Sequence, residues 1–352
     1  MSSSKTRLLP LELEVILAAH GEAETAGFFE NFRVGHRTLA HSAEVMHLPV
    51  LLRWAICTLG ALRKRLANRP GSPHNAWTRA QALALAERLE TRLGQPVAVR
   101  AAFASSEPSV EALIARPSAA RCRIFISMSP SDSRLSCGLL CHALSRTATT
   151  PQPIQVMARF WDDPDFVALN AAHVRAACAM DVEDGQPAAA ERTALLLVFH
   201  GTLIRDQRGQ TPQFHAGLEE KVRFASALQA ALSGHPETPW SEILPAYLNH
   251  DVAGTWSRPT VEDVLEDWHQ RGFERVWVFP CDFPVEGSEI TGSLSKAPAA
   301  SPIREIRLVA CLNDSARFID YLATRIQRLL DEPAGPWRCD PCPLSRLSLA
   351  QR

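Results

Sequence analysis

The sequence predicts an α/β fold of two similar lobes, each built on a parallel sheet flanked by helices. The first observation is a short apolar run that ends in His-Gly and occurs twice, in residues 15–21 and 195–201. An apolar run of about five residues closed by a polar residue is typical of a buried parallel strand. We therefore expect His20 and His200 at the carboxyl edges of two sheets, where open α/β folds bind ligands.

The second observation is a further repeat that relates the two halves of the chain. The segment PSVE at 108–111 matches PTVE at 259–262, and RIFI at 123–126 matches RVWV at 275–278. Between its His-Gly and its Pro-x-Val-Glu segment, the first half is 29 residues longer than the second. We place the additional residues in a lid or lip segment at about 36–74.

Strands and helices are predicted to alternate along both halves. Strand patterns occupy residues 14–19, 98–103, 123–127, 194–199, 242–247, 275–280 and 306–311. Helical periodicity is clearest in 80–93 and 318–330, where apolar residues recur every three or four positions. Such alternation implies parallel sheets joined by right-handed crossovers.

The chain is predicted to have three parts. Residues 1–180 form the first lobe, 181–332 form the second, and 333–352 form an extended tail. The joint is placed at 181–192 because this stretch is polar and interrupted by glycine and proline. The tail is rich in proline, which cannot continue a helix.

Residues 48–66 form an apolar segment in which Arg53 is the only charge before Arg63. As an amphipathic helix this segment suits core packing, a lid over a cleft, or interfacial contact with a membrane. It is too short and too interrupted to span a bilayer.

Composition restricts the class of protein. The chain has 352 residues, 46% of them hydrophobic, and a net charge of −1, which suits a large folded core and argues against nucleic acid as a partner. Residues 1–14 carry both charge signs and no apolar core, so no secretory signal is predicted. Nine cysteines, an odd number, indicate reduced thiols and a cytoplasmic location, with peripheral membrane contact as an open alternative.

Several short motifs follow one another in a specific order. They are Gly71-Ser72-Pro73, Trp77-Thr78, Glu107-Pro108, Pro130 with Gly138, Phe199-His200-Gly201, Ala246-Tyr247 through Trp256 and Pro259, Phe283 to Glu289, and Cys311-Leu312-Asn313-Asp314. In this order they resemble the ferrochelatase family, which inserts ferrous iron into protoporphyrin IX. The resemblance covers nearly the whole chain and implies Rossmann-like lobes with the active-site cleft between them.

The resemblance implies that His200 and Glu289 are the catalytic pair and also metal ligands, with Glu286 extending a carboxylate path for the metal. This assignment is chemically sound, because a neutral imidazole ligates a metal or accepts a proton near pH 7. A carboxylate stabilises both the cation and the transferred protons. His20 occupies the equivalent strand end in the first half and is interpreted as structural, although a second imidazole near the cleft would affect metal choice.

Further residues are candidates for contact with the tetrapyrrole. Porphyrin propionates are anionic, so Arg53, Arg134 and His250 are candidates for binding them. Trp77 and Trp256 would present flat apolar surface to a macrocycle, or else belong to the core.

Some positions depart from the family pattern and leave the substrate open. Ala104-Ser105 and Leu248-Asn249 replace typical Arg-Tyr and Gln-Ser pairs, and residues 131–140 contain Arg134 and Cys137 in a stretch usually rich in Thr and Ser. The leading hypothesis is insertion of Fe²⁺ into protoporphyrin IX to form haem. The alternatives are a chelatase for a different tetrapyrrole or divalent metal, and a non-catalytic haem- or porphyrin-binding relative.

Cys339 and Cys342 resemble the tail cysteines with which some ferrochelatases hold a [2Fe–2S] cluster. Such a cluster needs four thiolates. Cys122, Cys137 or Cys141 would have to supply the others, so exposed or redox-active thiols are the favoured interpretation and a cluster is not expected.

Overall fold

The computed structural model describes residues 13–43, 48–68, 70–147, 154–182, 192–234, 238–250 and 252–331. Two parallel sheets confirm the predicted fold class. The first sheet contains β1 (Leu13–Ala19), β2 (Ala98–Phe103), β3 (Cys122–Ser127) and β4 (Ile154–Met157) in the order β2-β1-β3-β4. The second contains β5 (Thr193–His200), β7 (Glu242–Leu248), β9 (Arg275–Phe279) and β10 (Glu305–Leu308) in the order β10-β9-β5-β7. Each lobe therefore has its His-Gly strand in an interior position between two neighbours.

Helices connect the strands and cover the sheets. They are α1 (Phe28–Ser42), α2 (Val50–Leu66), α3 (His74–Leu93), α4 (Val110–Ala115), α5 (Cys137–Thr147), α6 (Pro164–Val182), α7 (Leu218–Ser233), α8 (Val261–Gln270), α9 (Ala297–Ala300) and α10 (Ala316–Asp331). A π-helical turn covers Glu289–Ser293. A small antiparallel pair, β6 (Leu203–Arg205) and β8 (Thr255–Trp256), lies beyond the second sheet.

The repeated Pro-x-Val-Glu segments form equivalent connections in the two lobes. The backbone N–H of Phe103 donates to Pro108 O at 2.9 Å, and that of Tyr247 donates to Pro259 O at 3.0 Å. Ser109 caps α4 and Thr260 caps α8, each accepting a hydrogen bond from a backbone N–H three residues ahead. The internal repeat seen in the sequence is therefore a structural repeat.

The helices at the ends of the two halves pack across the molecule. α6 packs on α7 of the second lobe, and α10 packs on α3 of the first. Phe166 of α6 lies 5.6 Å from Phe224 and 6.3 Å from Phe318, measured between ring centroids. One hydrophobic core thus includes side chains from both lobes.

The strand predicted at 306–311 was wrong in its extent, because β10 ends at Leu308. The apolar run continues to Leu312 since Val309, Cys311 and Leu312 are buried in the following loop. The chain then turns at Asn313, whose φ is +46°. The backbone N–H of Val309 still donates to Val278 O at 2.8 Å, and beyond it the burial of Cys311 and Leu312 in the loop explains the apolar pattern.

The apolar segment 48–66 is not core. In α2 only Cys57 and Ala61 are buried, whereas Leu51, Leu59 and Leu66 are 85%, 67% and 77% exposed. α2 packs against α1, so the lid and the interfacial interpretations both stay open. Within the described part of the chain, no helix is long and apolar enough to cross a membrane.

Two predicted features fall outside the described residues. Most of the joint at 181–192 and the whole tail at 333–352 lie there, including Cys339 and Cys342. The boundary between 180 and 181 stays a prediction.

Candidate functional site

A cleft of about 350 Å³ lies between the two lobes, at the carboxyl ends of the strands. Its lining groups follow the strands in turn: His20 follows β1, Met128 follows β3, His200 ends β5, His250 follows β7 and Phe283 follows β9. Parallel strands bring their carboxyl ends to a common edge, which explains why residues distant in sequence meet here. The cleft wall is mainly apolar.

Three side chains in this cleft converge on one point. The Nε2 atom of His200 lies 3.3 Å from Glu289 Oε1 and 3.1 Å from His250 Nε2. His250 Nε2 lies 3.6 Å from the same Glu289 oxygen. A tetrahedral ion with bonds of about 2.1 Å spaces its ligand atoms about 3.4 Å apart. The three atoms are therefore spaced to hold a divalent metal and leave at least one coordination position open.

Hydrogen bonds around His200 determine which ring nitrogen faces the cleft. Its Nδ1 lies 2.8 Å from Gly201 O, and an N–H at this position donates to that carbonyl. The other nitrogen, Nε2, then carries the lone pair that points towards His250 and Glu289. Backbone carbonyls commonly fix metal-binding histidines in this way.

A buried ion pair supports the backbone of His200. Lys221 Nζ donates to His200 O at 2.7 Å and to Thr202 Oγ1 at 3.0 Å, and it lies 3.6 Å from Asp282 Oδ2. The same Asp282 oxygen accepts the backbone N–H of His200 at 3.2 Å. The backbone N–H and the backbone carbonyl of His200 are therefore each hydrogen-bonded to a charged side chain, and these two side chains form an ion pair with each other.

The metal-binding groups strongly affect one another's protonation. Burial favours the neutral form of the Glu289 carboxyl and so raises its pKa. The positive charge and the hydrogen bond of His200, together with the charges of His250 and His20, outweigh burial and lower the pKa of Glu289 to about 2. Burial likewise opposes charge on His200, yet the carboxylate of Glu289 outweighs it and raises the pKa of His200 above 6.5. Desolvation within the cleft lowers the pKa of His20 to about 4, so this imidazole is neutral near pH 7.

Aromatic side chains flank the three ligands. The ring of Trp256 lies 5.6 Å from that of His250, and the ring of Phe283 lies 6.1 Å from that of His200. The indole N–H of Trp256 donates to Val252 O at 2.9 Å, which fixes the ring beside the cleft. Flat apolar surface therefore adjoins the metal-binding atoms.

The other predicted residues take different places. The carboxylate of Glu286 accepts hydrogen bonds from Cys311 N at 3.2 Å and Asn313 Nδ2 at 2.7 Å, so it braces a loop instead of lining the cleft. Arg53 lies on α2 and Trp77 on α3, and neither is among the cleft-lining residues. The Arg134 guanidinium donates to Gly138 O at 3.3 Å and is also absent from the lining.

Several cleft residues were missed by sequence reasoning. Glu22, Lys221 and Asp282 line the cleft. Glu22 follows the first His-Gly and Asp282 follows the strand 275–279, so position at a strand end was the available signal. Lys221 lies within α7, where nothing in the local sequence distinguishes it from a solvated lysine.

Inserting a metal into a planar macrocycle requires an ion held by few ligands beside a flat apolar wall, and the cleft has both features, as a metal chelatase needs. The chain belongs to the ferrochelatase family, which it matches over residues 13–330. Its acceptor is accordingly a tetrapyrrole.

Similar solved structures include two of the chelatase SirB. SirB from Bacillus subtilis with Fe³⁺ is 13% identical with a TM-score of 0.47, covering 90% of this chain and 95% of that one. SirB from Bacillus subtilis subspecies spizizenii, a sirohydrochlorin chelatase in complex with cobalt, is 12% identical with a TM-score of 0.45, covering 92% and 97%. DR2241 from Deinococcus radiodurans, a multi-domain protein with similarity to chelatases, is 12% identical with a TM-score of 0.46, covering 90% and 55%. No curated protein matches the chain.

Proposed function

We propose that this protein inserts Fe²⁺ into protoporphyrin IX to form haem. The observation that supports this most directly is the His200, His250 and Glu289 set facing an apolar cleft. Among the described residues the cleft lining contains no arginine and one lysine, Lys221, which is already paired with Asp282. A tetrapyrrole with many carboxylates would need several cations there, so the wall suits one with few carboxylates and an apolar periphery.

The three ligands hold the ion before it is transferred. His200 and His250 supply neutral nitrogens and Glu289 supplies negative charge, a mixed set that suits Fe²⁺ and similar divalent ions. The open coordination position lets a pyrrole nitrogen reach the ion while the protein ligands still hold it. A macrocycle bound against the apolar wall would cover the three ligands and exclude water, which would strengthen each electrostatic interaction in the site.

Metal insertion also releases two protons, one from each of the two pyrrole N–H groups. When the ion moves into the macrocycle, the imidazole and carboxylate atoms that held it regain free lone pairs. His200 is the better acceptor, because Glu289 stabilises its protonated form. His200 takes one of the two protons and a second group of the ligand set takes the other, so two positive charges replace those of the departing ion and the net charge of the cleft is unchanged.

A metalation assay tests the proposal. Purified protein is mixed anaerobically with Fe²⁺ or Zn²⁺ and either protoporphyrin IX or sirohydrochlorin, and product is followed by its absorption spectrum. We expect turnover with protoporphyrin IX. Turnover with sirohydrochlorin alone would contradict the proposed substrate, and tight haem binding without turnover on any pair would favour the non-catalytic alternative.

The site restricts the identity of the metal less than it restricts the type of macrocycle. Two imidazoles and one carboxylate also suit Co²⁺, Ni²⁺ and Zn²⁺, and affinities for such sites rise from Fe²⁺ to Ni²⁺. A chelatase for another divalent ion is therefore the second candidate. Including Co²⁺ and Ni²⁺ in the same assay distinguishes the two.

The exposed face of α2 is proposed to contact an anionic membrane surface. Its apolar side chains are followed by Arg63, Lys64 and Arg65 in the last turn, which are attracted to anionic headgroups. α1, which packs on α2, lines the cleft with Thr38 and Ser42, so such contact would hold a membrane next to the cleft entrance.

Substituting Leu51 and Leu59 together by glutamate is expected to weaken binding to anionic vesicles by more than about tenfold, since each buried leucine contributes about 1.5–3 kcal/mol. Leu83→Glu is the matched control, because Leu83 is 70% exposed on a different helix, α3. Co-sedimentation with phosphatidylglycerol vesicles measures the effect. Equal sedimentation of all three proteins would contradict membrane contact through α2, and the cytoplasmic location stays a prediction.

A further inference from the structure

The metal-binding residues His200 and Glu289 belong to the second lobe, yet each is adjacent to a hydrogen bond from the first lobe. The backbone N–H of Ser288, one residue before Glu289, donates to Glu22 Oε2 at 2.8 Å. The hydroxyl of Ser131 donates to Asp282 Oδ1 at 2.7 Å, and the other oxygen of Asp282 accepts the backbone N–H of His200. Glu22 and Ser131 follow β1 and β3 of the first sheet.

We propose that Glu22 and Ser131 are positioning residues that hold the metal ligands of the second lobe in place across the cleft. The inference rests on the proposed role of His200, His250 and Glu289 as the metal site. It implies that the ligand set is complete only while the two lobes are closed on each other. Neither residue touches the metal or the macrocycle in this role.

On the first-lobe side, the backbone of Glu22 is fixed by hydrogen bonds to a buried asparagine. Asn75, which is 1% exposed, accepts the backbone N–H of Glu22 at 2.9 Å and donates to Glu22 O at 2.8 Å. The Asn75 amide also donates to Ser106 Oγ at 3.0 Å. Because both the N–H and the carbonyl of Glu22 are hydrogen-bonded, the position of its backbone is fixed, and its carboxylate extends from there towards the second lobe.

The contact is equally close on the second-lobe side. A Cβ atom placed on Gly287 would lie 3.0 Å from Glu22 Oε1, so the loop before Glu289 approaches the carboxylate closely because residue 287 is glycine. Ser288 begins the helical segment whose π-helical turn starts at Glu289. The first backbone N–H groups of a helix have no partner within it, and a carboxylate satisfies one of them here.

The Ser131 contact is also fixed on both sides. Ser131 and Asp282 are only 3% and 8% exposed, and Asp282 is paired with Lys221. The loop that carries Ser131 is seated on the second lobe by a further bond, from Arg134 N to His215 O at 2.8 Å. Movement of this loop away from the second lobe would leave a buried carboxylate oxygen of Asp282 without its hydroxyl donor, which is costly.

The test compares Glu22→Ala, Glu22→Gln and Ser131→Ala with the wild type and with Glu24→Ala. Glu24 lies on the same loop as Glu22, but its carboxylate pairs with Arg79 within the first lobe. Glutamine retains an oxygen that accepts the Ser288 N–H, whereas alanine does not. Zn²⁺ affinity is measured by calorimetry without tetrapyrrole, the Co²⁺ absorption spectrum reports ligand geometry, and amide hydrogen exchange is followed on metal-free protein.

We expect Glu22→Ala to weaken Zn²⁺ binding about 10-fold, to alter the Co²⁺ spectrum and to speed exchange in residues 288–293. Glu22→Gln should restore affinity to near the wild-type value, and Glu24→Ala should leave it unchanged. Ser131→Ala should weaken binding and speed exchange in residues 200–202.

Unchanged exchange and affinity in Glu22→Ala and Ser131→Ala would overturn the proposal. Equal loss in Glu22→Gln and Glu22→Ala would overturn it too, since the negative charge and not the accepted hydrogen bond would then matter. If the proposed function fails, the wild type gives no metalated product, but the exchange measurement still decides the positioning role.

Discussion

Replacing His200 with alanine is expected to lower the rate of metal insertion by about 10²–10⁴-fold, the usual contribution of a positioned proton acceptor. The substitution removes one of three metal ligands and the group to which a pyrrole proton would pass. It also leaves His250 and Glu289 too few to hold the ion firmly. Initial rates with Zn²⁺ and protoporphyrin IX, at saturating concentrations of both, measure the effect.

His269→Ala is the matched control for this experiment, because His269 is an exposed histidine on α8 outside the cleft. Its rate should equal that of the wild type. A rate in His200→Ala within a few-fold of the control would show that His200 is not the acceptor. Tetrapyrrole binding should survive in His200→Ala, because the apolar wall with Trp256 and Phe283 is unchanged.

The repeated His-Gly runs were sufficient to predict the central strands of both sheets. β1 and β5 are buried along most of their length, so their apolar runs carry a signal that does not depend on the rest of the fold. β4 was missed because it has only four residues and one of them is the polar Gln155; β10 is equally short, but the buried apolar residues that follow it lengthened its apolar pattern. β6 and β8 are shorter still, and among the residues that the structure describes they pair with each other alone.

The candidate site depended on different information. Position at a strand end and resemblance to the family together selected His200 and Glu289, whose atoms the structure places 3.3 Å apart. His250 was assigned to propionate binding, yet its ring nitrogen lies 3.1 Å from that of His200. Whether a residue after β7 points at the metal or at the cleft rim depends on loop geometry, which periodicity does not report.

Surface position was the least predictable property. Arg53 and Trp77 were selected for the chemistry of their side chains, but the direction in which a helix presents them depends on its packing partners. α2 buries only Cys57 and Ala61, an orientation that its nearly uniform apolar sequence does not specify. Glu286 illustrates the same difficulty, since two donors from the loop near Asn313 occupy its carboxylate.

Replacing Glu289 with glutamine is expected to weaken Zn²⁺ binding by at least about 10²-fold. The change removes the only negative charge of the three-ligand set among the described residues, and loss of even an outer-shell partner costs 10–100-fold. Glu111→Gln is the control, because Glu111 is exposed on α4 away from the cleft. Calorimetric titration of both variants, repeated between pH 5 and pH 8, measures affinity and its pH dependence together.

The pH dependence distinguishes loss of a ligand from general damage to the site. In the wild type, the pKa of His200 is raised above 6.5, so below that pKa an incoming ion must displace a proton. Affinity should then fall about tenfold for each pH unit. In Glu289→Gln the carboxylate that stabilises the imidazolium is gone, while burial still favours the neutral ring, so the pKa of His200 falls. Affinity should therefore be lower at pH 8 but should begin to decline only at a lower pH than in the wild type. If Glu289→Gln binds Zn²⁺ more weakly but its affinity begins to decline at the same pH as in the wild type, Glu289 does not control the protonation of His200.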